Sequence, residues 1–155
     1  MIQFSKAISI RWADLDPNFH MRHSAYYDFG AQLRVEVLDQ LGLTTRMMQE
    51  EGFGPILFRE ECVFRKEIRF NDPIFIDLKM AKLKPDASRW TMRHQFLSPE
   101  GKVHAVITID GAWLDTKLRK LAAHIPREAI EAFHAFPKTE DFVTSTPLSD
   151  RDSAQ

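Results

Sequence analysis

Between residues 3 and 12 apolar and polar side chains alternate. Phe4, Ile8, Ile10 and Trp12 share one parity, while Gln3, Ser5, Ser9 and Arg11 share the other; Lys6 is out of step. A period of two predicts a half-buried strand. The pattern then breaks from Ala13 to about Arg22, where Asp14, Asp16, Pro17 and Asn18 are turn formers. From Tyr26 the period lengthens. Tyr26, Phe29, Leu33, Val37 and Leu41 recur at steps of three or four, which is one apolar face of a helix. Ser24 is placed to cap its start and Gly42 to end it, for a helix of about 17 residues or roughly 25 Å. A short second helix is expected over Thr45–Glu50, closed by Gly52 and Gly54.

Four strand-like runs follow: Ile56 to about Ile68, Ile74–Leu83, Arg89–Leu97 and Val103–Leu114. They are joined by turn chemistry at Asn71-Asp72-Pro73, Lys84-Pro85-Asp86-Ala87-Ser88 and Ser98-Pro99-Glu100-Gly101. Connections this short predict antiparallel neighbours. Pro126 suits the first turn of a final helix through Phe133. The order is strand, long helix, four strands, short helix. That is an α+β architecture, and a helix with one apolar face must lie on the sheet. The simplest arrangement is a curved antiparallel sheet wrapped around one long central helix. Its exposed edge predicts pairing with a second copy, as a homodimer or homotetramer.

At 155 residues, 44% of them hydrophobic, the chain has the size and core of one domain. The boundary is expected at residue 136, with a polar C-terminal tail over 137–155. A net charge of −1 gives no global argument for nucleic acid or an anionic membrane. The one cysteine, Cys62, allows no intrachain disulfide and fits a reducing compartment. No run of roughly 20 apolar residues is present to span a bilayer, and the N-terminus lacks the apolar core of a secretion signal. A cytoplasmic location is expected.

The chemistry concentrates in residues 11–27, where two carboxylates and two histidines surround a helix start. Free backbone N–H groups and the positive dipole end there can polarise a carbonyl or hold an oxyanion. A nearby carboxylate can attack a thioester or activate water, and a histidine can transfer a proton near neutral pH. Residue types alone leave both Asp14 and Asp16 open, either to this chemistry or to fixing a turn.

The segment resembles the signature of the 4-hydroxybenzoyl-CoA thioesterase-like branch of the hotdog superfamily of acyl-CoA thioesterases. That signature is Asp-x-Asp, a short loop, His or Asn, two small residues and Tyr, then a helix carrying Arg-x-Glu. The matches are Asp14 and Asp16, His23-Ser24-Ala25-Tyr26, and Arg34 and Glu36 ahead of Leu41-Gly42-Leu43. Downstream, Arg69-Phe70-Asn71-Asp72-Pro73 before an alternating strand is also similar, and the likeness covers about residues 4–134. The resemblance implies the hotdog fold and hydrolysis of an acyl-CoA or acyl-carrier-protein thioester. It implies Asp16 as the catalytic aspartate, nucleophile or general base, with His23 assisting. Backbone N–H groups at His23 or Ser24 would polarise the carbonyl. It implies no organic cofactor or metal, coenzyme A entering only as part of the substrate. Two departures bear on the substrate: Trp12 stands where some relatives carry tyrosine, and Asn18 and Phe19 replace the usual loop glycines. Phe19 adds bulk where the acyl group would enter and is a candidate substrate contact.

Other candidates are weaker. The helix face that begins at Tyr26 is core, and it is also placed to line an acyl pocket. Arg65 and Arg69 share a parity and suit a CoA phosphate, or equally a solvated strand edge with Glu60, Glu61 and Glu67 interleaved. Arg34 and Glu36, two apart, do not face each other on a helix, so Arg34 is expected to pair with a strand. A hotdog hydratase or dehydratase would need a histidine–carboxylate pair, and its His-Phe-Pro motif is absent. A non-catalytic acyl-thioester binding module is the rival from another class.

Overall fold

A computed structural model describes residues 1–144. In chain order the elements are β1 (Ser5–Ile8), α1 (Ala25–Gln40), α2 (Thr45–Glu51), β2 (Phe53–Phe64), β3 (Ile74–Asp77), β4 (Lys79–Leu83), β5 (Arg89–Leu97), β6 (Val103–Asp115), β7 (Lys120–Leu121), α3 (Arg127–His134) and β8 (Lys138–Thr144). They form one curled sheet that wraps α1. β2 pairs with β6, and β6 with β5. The other edge of β5 carries both β4 and β3, which carry β8 and β1 in turn. All pairs are antiparallel except β4 with β8.

The period-two strands follow their patterns. Along β5, Trp90, Met92, His94 and Phe96 point inward and are buried; along β6, Ala105, Ile107, Ile109 and Trp113 do the same. α1 lays Ala25, Tyr26, Leu33, Val37 and Leu38 on them. At one end α3 inserts Phe133 between Trp90 and Trp113, with ring centroids 5.5 and 4.8 Å away. Gly111 makes this possible: a Cβ there would stand 2.2 Å from the Trp90 ring.

Three expectations are corrected by local chemistry. The first strand ends at Ile8, because Trp12–Asp14 closes a single 3-10 turn. The run 74–83 is two strands, since Leu78 turns its N–H to Phe4 C=O (2.8 Å) and leaves the ladder. The run expected to end at Ile68 ends at Phe64, and Ile68 is buried with its carbonyl accepting from Met21 N–H (2.7 Å). Within the stretch expected as a polar tail, residues 138–144 form β8 against β4; residues 145–155 lie outside the described residues. β2 has no partner along its outer edge among the described residues, and Leu57, Phe58, Val63 and Phe64 are exposed on it.

Candidate active site

Asp14 and Asp16 separate cleanly into two jobs. Arg11 donates its backbone N–H (2.9 Å) and its guanidinium (2.8 Å) to the Asp14 carboxylate, which is buried. Those bonds hold the Asp14 carboxyl below its usual range despite burial. Asp14 therefore closes the 3-10 turn. Its carbonyl also accepts from Arg22 N–H (2.7 Å) and so sets where α1 begins.

Asp16 sits in the loop that returns. Its N–H donates to His20 C=O (2.8 Å), and its Oδ1 accepts from the N–H of Asn18 (2.9 Å) and His20 (3.2 Å). One carboxylate oxygen is thus fixed by backbone, while Oδ2 has no hydrogen-bond partner among the described residues. The tight return places Phe19 in the left-handed region, at φ 63°.

His20 points from this loop toward Glu67, with Nε2 3.1 Å from Oε2. The backbone around Glu67 is pinned to β6. His104 C=O accepts from the N–H of Arg65 (2.8 Å) and Lys66 (2.9 Å), and the His104 ring bonds Glu67 C=O (3.1 Å). At the start of α1, Ala25 N–H donates to Arg22 C=O (3.0 Å), whereas the N–H groups of His23 and Ser24 have no acceptor among the described residues. These donors sit at the positive end of a four-turn helix. Tyr26 is only 3% exposed and lies edge-on to Phe64 (5.0 Å) and Phe96 (5.1 Å). Burial, with Asp16 and Glu67 nearby, pushes its hydroxyl up to about 12, so it stays a proton donor.

Asp16, His23, Tyr26 and Arg65 are brought together on the wall of one open cavity of about 580 Å³. His20, Lys66 and Glu67 complete its polar side, and Met21 and Phe64 its apolar side. Phe19, Ser24 and Arg69, also expected to contact substrate, do not line this wall. The left-handed backbone turns Phe19 outward against Trp12 (6.5 Å between rings), and it is 64% exposed. Ser24 Oγ accepts from Arg22 instead of capping the helix, which leaves its backbone N–H as its only group for the site. Arg69 N–H donates to Asp72 (2.8 Å) in the turn before β3, and its backbone bridges to His20.

The His20–Glu67 pair is the part that local spacing did not reveal. His20 is four residues past Asp16, a usable signal, but Glu67 arrives from another strand end. The half-buried Cys62 is no rival nucleophile: burial pushes its thiol up to about 11. No group of three or more His, Cys, Asp or Glu among the described residues is arranged to hold a metal ion. A polar hollow of about 340 Å³ near β8 is bridged by an ion pair, Arg93 on Asp141 (3.0 Å).

The model of the thioesterase-like superfamily matches residues 10–133. No curated protein matches the chain. Among solved structures, a hypothetical protein from Thermus thermophilus is 21% identical with a TM-score of 0.74, over 86% of this chain and 99% of that one. A Staphylococcus aureus protein in complex with CoA is 14% identical with a TM-score of 0.77, over 88% and 86%. A 1,4-dihydroxy-2-naphthoyl-CoA thioesterase from Synechocystis is 16% identical with a TM-score of 0.74, over 85% and 96%. At these identities the three structures share the fold.

Proposed function

The chain belongs to the thioesterase-like superfamily and has the hotdog fold, and from that premise we propose that it hydrolyses acyl-CoA thioesters at Asp16. The observation that carries this is the Asp16 carboxylate, held at Oδ1 by two backbone N–H groups and open at Oδ2, beside the unpaired N–H groups of His23 and Ser24. The CoA complex of the Staphylococcus aureus protein and the CoA ester named for the Synechocystis enzyme support the substrate class. An acyl group on a carrier protein offers the same thioester.

In this reading the thioester carbonyl lies against the start of α1, where the two N–H groups stabilise the oxyanion. Asp16 either attacks the carbonyl carbon or takes a proton from a water that attacks it. Collapse breaks the C–S bond and releases a thiolate. His20, oriented by Glu67, donates the proton that converts it to the thiol, and His23 assists from the helix side. In the attack route water then cleaves the acyl–Asp16 anhydride. Arg65 and Lys66 are placed for CoA phosphate. Coenzyme A enters only as part of the substrate, and no other cofactor is required.

Self-association through the exposed β2 edge, as a homodimer or homotetramer, belongs to the same proposal. So does a cytoplasmic location. No described helix is long and apolar enough to cross a membrane.

The test is thiol release from a panel of aliphatic and aromatic acyl-CoAs. Asp16→Asn keeps the loop's size and is expected to lower kcat by about 10²-fold or more, with an unchanged melting temperature. A wild-type rate in that variant overturns the reading. The His20–Glu67 pair also favours a second reading, since a hydratase needs a histidine beside a carboxylate. Hydration of an enoyl-CoA without thiol release would support it.

A further inference from the structure

Two side-chain contacts and a pocket follow one another between α1 and β2, in opposite order along the two elements. Tyr26 meets Phe64 at the catalytic cavity. Arg34 meets Glu60 further along, with Nη2 3.4 Å from Oε2. Beyond that pair lies a separate, largely apolar pocket of about 210 Å³, walled by Val35 and Leu38 of α1, Leu57 of β2, Met48, Trp90 and Phe136. The Arg34–Glu60 pair therefore stands between the reaction centre and an apolar pocket that the catalytic reading leaves unused.

The two halves of that pair are held very differently. Arg34 is fixed from behind: its Nη1 lies 2.9 Å from His94 Nε2. His94 Nδ1 lies 2.7 Å from Asp77 C=O, so Nδ1 carries the proton and Nε2 accepts from Arg34. His94 is fully buried, and burial together with Arg34 keeps it neutral. The arginine side chain is 14% exposed. Gly30 admits the arrangement, since a Cβ there would come within 3.2 Å of both Arg34 and His94. Glu60 has no such anchor among the described residues. Its side chain is 28% exposed, and its contact with Arg34 is longer than the Arg34–His94 contact. Arg34 is a fixed post and Glu60 a movable latch.

We propose that the Arg34–Glu60 pair is a gate that limits the length of the acyl chain, and that the pocket beyond it takes the far end of an aliphatic chain only when Glu60 moves aside. This rests on the acyl-thioester reading of the Asp16 site. Tyr26 and Arg34 are eight residues apart on one helix, or roughly 12 Å along its axis. A butyryl chain ends well before the pair. A fully extended palmitoyl chain reaches it, and must bring apolar carbon against an ion pair or displace it. Past the gate the same carbon is buried favourably among Val35, Leu38 and Leu57.

The experiment compares kcat/KM for butyryl-CoA and palmitoyl-CoA in the wild type, in Glu60→Ala and in Glu60→Ala with Leu57→Trp. The wild type is expected to favour butyryl-CoA. Glu60→Ala is expected to raise the palmitoyl-to-butyryl ratio by about tenfold or more, the scale on which apolar subsites discriminate. Leu57→Trp fills the far pocket and is expected to return the ratio toward the wild-type value, which a general loosening of the fold would not do. A ratio unmoved by Glu60→Ala, or a wild type that already favours palmitoyl-CoA, overturns the gate while leaving hydrolysis at Asp16 intact. Thiol release from neither ester overturns the hydrolysis reading and the gate with it.

Discussion

His20 Nε2 stands 3.1 Å from Glu67 Oε2 at the mouth of the cavity that holds Asp16. Both side chains are partly in water, so the contact adds little to stability and acts by orienting the imidazole. An oriented imidazole beside a departing thiolate is a proton donor. His20→Gln is therefore expected to slow hydrolysis of an acyl-CoA by about 10²-fold. The loss should largely vanish for an acyl ester of an acidic aryl thiol, which leaves without protonation. Glu67→Gln should follow the same pattern with a smaller loss, whereas Asp16→Asn should fail on both esters. Steady-state rates on the two leaving groups check this. An equal loss on both in His20→Gln would assign the residue a positional role instead.

The buried pair of Arg34 and His94 makes stability depend on pH. His94 faces Arg34 from α1 and the Asp77 carbonyl from β3, and burial pushes it from 6.5 down to about 3. Between those values the unfolded chain binds a proton that the folded chain does not. Stability therefore rises with pH: the contribution is full above about 6.5 and is lost as pH falls toward about 3, by up to about 1.4 kcal/mol per pH unit. His94→Gln removes the titration but keeps a side chain able to accept from Arg34. Urea midpoints at pH 7 and pH 5 should differ less in that variant than in the wild type. An undiminished difference would place the acid sensitivity elsewhere.

How much of this was legible in the sequence depended on range. Strands β5 and β6 and helix α1 announce themselves because each has one wet and one buried face, which writes a period into the chain. The expected strand partner of Arg34 followed from its having no partner on its own helix, and Glu60 and His94 fill that place. The break at Leu78 was silent, since an apolar residue in phase looks the same whether it stays in the ladder or turns to Phe4. β8 was hidden for the opposite reason: as an outer strand it is mostly solvated, and its composition reads as a tail. In the site, Asp16, His23 and Tyr26 share one short segment, and a local motif can carry them. Phe19 and Ser24 sit in the same segment yet turn away, because one left-handed residue and one Arg22 contact decide their direction. Glu67 depends on how the 65–67 backbone is tied to His104, which no local pattern records.

The outer edge of β2 leads to a prediction about assembly. Val63 is 49% exposed next to the similarly open Phe64, with Phe58 open earlier on the same strand, whose outer edge has no partner among the described residues. β2 has a bulge between Leu57 and Arg59 and charges at Arg59, Glu60 and Glu61, so the apolar Val63–Phe64 end is the part of the edge open to pairing with another strand. Wild-type protein at micromolar concentration is expected to sediment as a dimer or tetramer, and Val63→Lys with Phe58→Glu should shift it toward monomer. A wild-type monomer under those conditions would remove β2 as a self-association edge.

Phe19 offers a test of how the Asp16 loop is built. Its φ of 63° is costly for a bulky side chain, by about 1–2 kcal/mol. The strain persists because Asp16 Oδ1 holds the N–H groups of Asn18 and His20 on either side of it. Asparagine tolerates the left-handed region far better, and the exposed Phe19 ring lies against Trp12 at the surface. Phe19→Asn should thus relieve strain without moving the carboxylate. The expected outcome is a gain of about 0.5–1 kcal/mol in unfolding free energy, with kcat and KM for acyl-CoA within about twofold of wild type. Asp16→Ala removes the restraint itself, so Phe19→Asn added to it should stabilise less than it does alone, because the loop is then free to relax by other routes. A large rise in KM in Phe19→Asn would contradict the outward placement of the ring and return Phe19 to the substrate path.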